Sequence, residues 1–221
     1  MKTKDSSDEV RIFAKLEPSM LIILSIAILI ISVVIHEVSH GYAADWLGDP
    51  TPRLQGRLTL NPIKHLDPVG SIVVPLITSI FGFTFGWAKP VEYNPYNIKD
   101  KRKGEFLIAA AGPASNILIA VIFAIIMRVV ASVQGAGGSF IEISAYIVII
   151  NLVLAIFNLI PLPPLDGSKL LFSLLPNQYG RFRMTMEMYA PIFILVAIFF
   201  IWQFMFPVIM AIFKILTGVS F

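Results

Sequence analysis

The stretch Leu21-Ile22-Ile23-Leu24-Ser25-Ile26-Ala27-Ile28-Leu29-Ile30-Ile31-Ser32-Val33-Val34-Ile35 runs without a turn signal into His36-Glu37-Val38-Ser39-His40. No Asp, Glu, Lys or Arg falls between Pro18 and Ile35. A membrane-spanning helix needs about 20 mostly apolar residues. The run therefore predicts a spanning helix that continues to about Leu47, ahead of Gly48-Asp49-Pro50. Such a helix carries ionisable groups at membrane depth, where a charge is costly and usually has a task.

Working outward, four further stretches lack acidic and basic residues for long enough to be considered: Pro68–Ala88, Phe106–Met127, Ile143–Leu165 and Met188–Phe213. Phe106–Met127, Ile143–Leu159 and Met188–Phe213 read as helices. Pro68–Ala88 contains Pro75, Gly82 and Gly86 with several hydroxyl residues, and can be read as a span or as a re-entrant segment. Before it, Gly56-Arg57-Leu58-Thr59-Leu60 alternates like a short strand. The composition agrees with lipid as the main solvent. Of 221 residues, 57% are hydrophobic and 14% charged, mean hydropathy is +0.80, and a soluble domain carries about a quarter charged residues. The expected fold is an all-α polytopic membrane protein with four to five transmembrane helices and a short membrane-associated β region. It is read as one integral-membrane domain over 1–221, with a polar tail at 1–17, a core at 18–175 and a last transmembrane helix at 184–215. The first apolar run has no clear cleavage site behind it and reads as a retained helix, not a signal peptide.

The net charge of +3 does not point to nucleic acid, because the basic residues sit in short stretches between apolar runs. Lys99, Lys101, Arg102 and Lys103 crowd one loop, and Lys169, Arg181 and Arg183 another. The linker near Ser132–Phe140 has none. The positive-inside rule makes the two basic loops cytoplasmic. The N-terminus is inside if Pro68–Ala88 spans and outside if it is re-entrant. Trp46, Trp87 and Trp202 near the ends of apolar runs read as interfacial anchors.

His36 and His40 are spaced i, i+4, which puts both imidazoles on one helix face, one turn apart. Two nitrogens so placed can bind one Zn²⁺. Glu37 points toward the same side and can take a proton from a zinc-bound water. This is the H-E-x-x-H arrangement of zinc metalloproteases. The competing reading is a polar patch that hydrogen-bonds between helices. A catalytic zinc needs a third protein ligand and an open position. With no cysteine in the chain, that ligand is His, Asp or Glu. His65 is the remaining histidine. Asp166 ends Asn158-Leu159-Ile160-Pro161-Leu162-Pro163-Pro164-Leu165-Asp166-Gly167, whose three prolines forbid a regular helix. Irregular backbone at membrane depth must be buried in protein or line a wet cavity. Asp166 is then either the wall of a polar site or the N-cap of a helix over Ser168–Leu175, and composition leaves the two even.

His36-Glu37-x-x-His40 in a membrane helix, followed by Asn158-x-x-Pro161-x-Pro163-x-Leu165-Asp166-Gly167, resembles the site-2 protease family of intramembrane zinc metalloproteases, peptidase family M50, in a compact form without PDZ or CBS domains. Ala111-Gly112-Pro113-Ala114-Ser115-Asn116 resembles that family's Gly-Pro-x-x-Asn signature, and Leu60-Asn61-Pro62-x-x-His65-x-Asp67-Pro68-x-Gly70 a stretch of its compact members. The resemblance covers roughly Leu21 to Leu175. It implies that His36, His40 and Asp166 ligate one Zn²⁺ and that Glu37 is the general base. It implies that Asn158 binds or orients substrate, and that Asn116 hydrogen-bonds in the site or stabilises the oxyanion. His65 is either a group near the oxyanion or a loop histidine held by Asp67. The family's β region would correspond to Gly56–Leu60, with Phe85–Tyr93 as its partner and an exposed edge able to take an unwound substrate as an added strand. The partners implied are a membrane-protein substrate with a transmembrane helix and the bilayer itself. The setting implied is a multi-pass protein of a prokaryotic cell membrane, with the metal toward the cytoplasmic side. The extra leading helix of some relatives is not expected. A zinc transporter or metal-binding scaffold, or an inactive helix-binding relative, are the alternatives from other classes.

Overall fold

The computed structural model describes residues 18–80, 86–134 and 138–219. The polar tail at 1–17 lies outside the described residues. The first apolar run forms one helix, α1 (Pro18–Trp46), whose 29 residues reach about 44 Å at 1.5 Å per residue. It ends next to Gly48-Asp49-Pro50, as its sequence predicts. A one-turn helix, α2 (Thr51–Leu54), follows, and then a 3₁₀ turn at Pro62–His65 whose Ile63 N–H donates to the Asn61 side chain. A π-helical turn at Val69–Val73 leads into α3 (Val74–Ile80). The long helices α4 (Lys101–Gln134) and α5 (Ser139–Asn158) come next. The proline turn then opens into α6 (Asp166–Leu174) and α7 (Gly180–Met188). The chain closes with α8 (Ala190–Val196), a π-helical turn at Ala197–Ile201, and α9 (Trp202–Thr217).

Four helical stretches among the described residues are long and apolar enough to cross a bilayer: Ser19–Trp46, Lys101–Val133, Ser139–Asn158 and Ala190–Thr217. The protein is an all-α integral membrane protein. α4 is the central post and packs against α1, α5, α6 and α9. Its Ala120, Ala124 and Met127 meet Ile141, Ala145, Val148 and Leu152 of α5 and Met205, Ile209 and Phe213 of α9. Small residues at such a contact let backbones approach closely, which drives helix association where lipid removes the hydrophobic contrast.

The described part of 68–88 holds no helix long enough to span. Its five π-helical and seven α-helical residues reach about 18 Å, against about 30 Å of hydrocarbon. The Trp87 N–H donates to Gly70 O at 3.0 Å, and Ser71 Oγ donates to Trp87 O at 2.9 Å. Trp87 thus lies beside Gly70 and Ser71, which favours the re-entrant reading over a span.

The short β region differs from expectation, for the described residues contain no strand. Backbone groups around Gly56–Leu60 are consumed locally. Arg57 N–H donates to Pro52 O, Thr59 O accepts from the His65 ring, and Asn61 N–H donates to Thr59 Oγ1. The proposed partner stretch forms neither helix nor strand over 86–94, with Phe85 outside the described residues. It bonds to other elements: Lys89 N–H donates to His65 O at 2.8 Å, and Val91 N–H to Glu37 Oε2 at 3.0 Å.

Candidate active site

Three elements converge on one point. α1 brings His36 and His40 from a helix turn, α6 brings Asp166 from its first residue, and α4 passes Gly112 behind them. His36, His40 and Asp166 are all buried. Each offers one ligand atom, and these lie within 4.8 Å of one another. His36 Nε2 and His40 Nε2 are each 3.1 Å from Asp166 Oδ2. Atoms held at about 2.0–2.1 Å by a tetrahedral zinc stand about 3.3 Å apart, so the spacing suits that ion. Asp166 is not an N-cap. Leu165 holds that position and no side chain caps the helix.

The protons sharpen the fit. His40 Nδ1 is 2.7 Å from Ile108 O, a carbonyl that can only accept, so Nδ1 carries the hydrogen. His36 Nδ1 is 2.6 Å from Asn116 Oδ1. The Asn116 amide nitrogen donates to Asn151 Oδ1 at 2.8 Å and Ser32 O at 3.3 Å, which leaves Oδ1 to accept from His36. Asn151 in turn donates to Ser32 Oγ at 3.0 Å and to Ile147 O at 2.9 Å. With the hydrogen on Nδ1, each ring in its neutral form aims an Nε2 lone pair at a carboxylate oxygen. Electron-rich atoms this close in a buried place call for a cation among them. Outer partners of this kind fix tautomer and ring orientation in metal-binding histidines.

Two glycines make room. A Cβ on Gly112 would stand 2.4 Å from His40 Nε2 and 2.6 Å from His36 Nε2. A Cβ on Gly167 would stand 2.3 Å from Leu159 O and 2.4 Å from Ile160 O, so only glycine lets α6 start this close to the end of α5.

Glu37, one residue from the first histidine, is half-buried. Its Oε2 accepts from Val91 N–H, which holds the carboxylate in one orientation. Lys169 Nζ donates to Asp166 Oδ1 at 3.2 Å.

The remaining sequence candidates lie as follows. Asn116 is fully buried, with its hydrogen bonds directed to His36, Asn151 and Ser32. Asn158 is the last residue of α5, half-buried, and donates to Leu154 O at 2.9 Å. His65 is buried at 2% exposure, and its Nε2 donates to Thr59 O at 2.9 Å. It is therefore held by Thr59, whereas Asp67 accepts from Val69 and Gly70 N–H. Sequence reasoning missed Asn151, Lys169 and Val91. An asparagine inside an apolar helix is a signal that could have found Asn151. Val91 acts through its backbone, which its side chain does not announce.

Known proteins similar to this chain are named zinc metalloproteases. The description "Peptidase family M50" matches residues 128–202, the stretch that carries Asn151, Asn158 and Asp166. YwhC of Bacillus subtilis, named a zinc metalloprotease, is 42% identical over 156 residues, 67% of this chain and 67% of YwhC. Rip2 of Mycolicibacterium smegmatis, named likewise, is 32% identical over 147 residues, 66% of this chain and 54% of Rip2. The zinc metalloprotease MJ0392 of Methanocaldococcus jannaschii is 25% identical over 158 residues, 72% of this chain and 36% of that protein. The chain thus spans about two thirds of YwhC and about half of Rip2. No solved structure gives a significant match.

Proposed function

We propose, for a chain that belongs to peptidase family M50 and so is a zinc metalloendopeptidase of the membrane, that His36, His40 and Asp166 hold the zinc and Glu37 is its general base. The substrate class proposed is a membrane protein cut in or beside a transmembrane segment. The observation that carries the ligand set is the pair of Nε2 atoms facing Asp166 Oδ2 at 3.1 Å. When bound, zinc lowers the pKa of its water to about 7 and polarises the carbonyl to be attacked.

The rest is the work of the chain. Glu37 accepts the proton of the attacking water and passes it to the leaving amine. The Val91 N–H keeps its carboxylate aimed. A substrate helix must unwind first, because helical amides are shielded. The segment at 86–94, which lies beside Glu37, offers a template. Trp87, Lys89 and Val91 direct their N–H groups inward, which turns the backbone groups of Ala88 and Glu92 outward. An unwound substrate laid on that edge as an added strand would run beside Glu37. Asn158, half-exposed at the end of α5, supports the reading of an amide that orients the substrate.

Purified Glu37→Gln is expected to hold about one zinc per chain, like the wild type, and to cut no reporter substrate. Cleavage by this variant at the wild-type rate would remove Glu37 as the base. Asp166→Ala is expected to lose most of its zinc. Full zinc in that variant would remove Asp166 as a ligand and leave the two histidines standing.

A further inference from the structure

We propose that Lys169 is a positioning residue that holds Asp166 to one-oxygen coordination and so keeps a site position open for water. The inference rests on Asp166 being a ligand. Asp166 and Lys169 lie i, i+3 on the first turn of α6, hence on one face. The two carboxylate oxygens are divided between different partners. Oδ2 faces both Nε2 atoms at 3.1 Å, and Oδ1 accepts from Lys169 Nζ at 3.2 Å. A carboxylate beside a metal can bind through one oxygen or both. Binding through both would fill the position that a catalytic site must leave for water. An ammonium on Oδ1 competes for its lone pair and disfavours that second bond.

The surroundings reserve Lys169 for this task. It lines a cavity of about 270 Å³ together with Tyr93, Glu105, Ser168, Arg183 and Glu187. Two other carboxylates line that cavity, and both are committed to Arg183. Arg183 Nη2 meets Glu105 Oε1 at 2.8 Å, and Arg183 Nε meets Glu187 Oε1 at 2.8 Å. Lys169 instead pairs with Asp166. An ordinary surface pair would contribute little to stability and nothing to the metal, so the metal is where the two readings part.

Cobalt(II) in place of zinc reports coordination through its visible absorption, which is stronger in four-coordinate than in five- or six-coordinate sites. In the full chain in detergent, Lys169→Met is expected to bind cobalt at least as tightly as the wild type and to lose absorption several-fold as Oδ1 turns to the metal. Lys169→Arg, which keeps a cation within reach of Oδ1, is expected to restore the absorption. Lys169→Gln, which keeps the side-chain polarity without the charge, is expected to behave like the Met variant. A wild-type spectrum in either uncharged variant would overturn the proposal. Unchanged cobalt binding in Asp166→Ala would instead overturn the ligand assignment beneath it, so the two failures are distinct.

Discussion

At the scale of single residues, the site depends as much on what is missing as on what is present. Gly112 has no side chain where a Cβ would lie 2.4 Å from one ligand nitrogen and 2.6 Å from the other. Alanine there favours the helix by about 1 kcal/mol on propensity alone, yet it occupies the place to which both Nε2 atoms point. Gly112→Ala is therefore expected to keep the wild-type helix content by circular dichroism and to lose most of its zinc by metal analysis. Retention of one zinc per chain would mean that α4 can back away from α1. The donors themselves were legible in the sequence, because His36, Glu37 and His40 interrupt an apolar run and Asp166 closes a proline-rich one. Their supports were less so. Ile108 O and Val91 N–H hold His40 and Glu37 through the backbone, and any residue type carries those groups. Lys169 read only as a topological charge until Oδ1 and Oδ2 were seen to have different partners.

At the scale of elements, the end of α1 must be tied to the segment that orients Glu37, and Asp49 makes the tie. It is fully buried. It accepts from Thr51 N–H at 3.2 Å, Thr51 Oγ1 at 2.6 Å, Asn94 N–H at 2.6 Å and Asn97 Nδ2 at 2.7 Å. Burial opposes its charge, but these donors outweigh it and lower the carboxyl below its ordinary 3.8. A folded-state pKa lowered in this way adds stability above the ordinary value, and that stability is lost as pH falls through it. Asp49→Asn is expected to cost about 1–3 kcal/mol near neutral pH, since one acceptor oxygen becomes a donor facing donors. The gap in melting temperature between variant and wild type should narrow below about pH 4. A gap of equal size at pH 7 and pH 3.5 would show that charge is not its source. The long elements were legible because lipid demands continuous apolar helices. The strand read into Gly56–Leu60 was not there, because alternation over five residues cannot say which backbone groups are already taken by Pro52, His65 and Thr59. The segment at 68–88 was ambiguous for a related reason: its apolar composition suits a span and a re-entrant hairpin equally, and only the bonds between Gly70, Ser71 and Trp87 decide.

At the scale of the whole molecule, those bonds also set the topology. With 68–88 turning back, the chain from α1 to α4 stays on one side, and so does the stretch from α5 to α8. Arg53, Arg57, Lys64, Lys89, Lys99, Lys101, Arg102 and Lys103 belong to the first of these, and Lys169, Arg181 and Arg183 to the second. The opposite side receives the α4–α5 linker and the end of α9, where Arg128 Nη2 donates to Ile215 O at 2.6 Å. Short loops rich in Lys and Arg stay cytoplasmic, so α1 should run from outside to inside and deliver His36, Glu37 and His40 toward the cytoplasm. Lys2, Lys4, Arg11 and Lys15 pull the other way, which makes the orientation worth measuring. The chain has no cysteine, so a single introduced thiol is an unambiguous marker. Gln55, Gln178 and Ser139 are all exposed. An impermeant thiol reagent applied to intact cells should label Ser139→Cys, and should label Gln55→Cys and Gln178→Cys only after lysis. The reverse pattern would turn the site outward, so that Glu37 would meet water and substrate from the opposite face and the loop charges would have misreported the orientation.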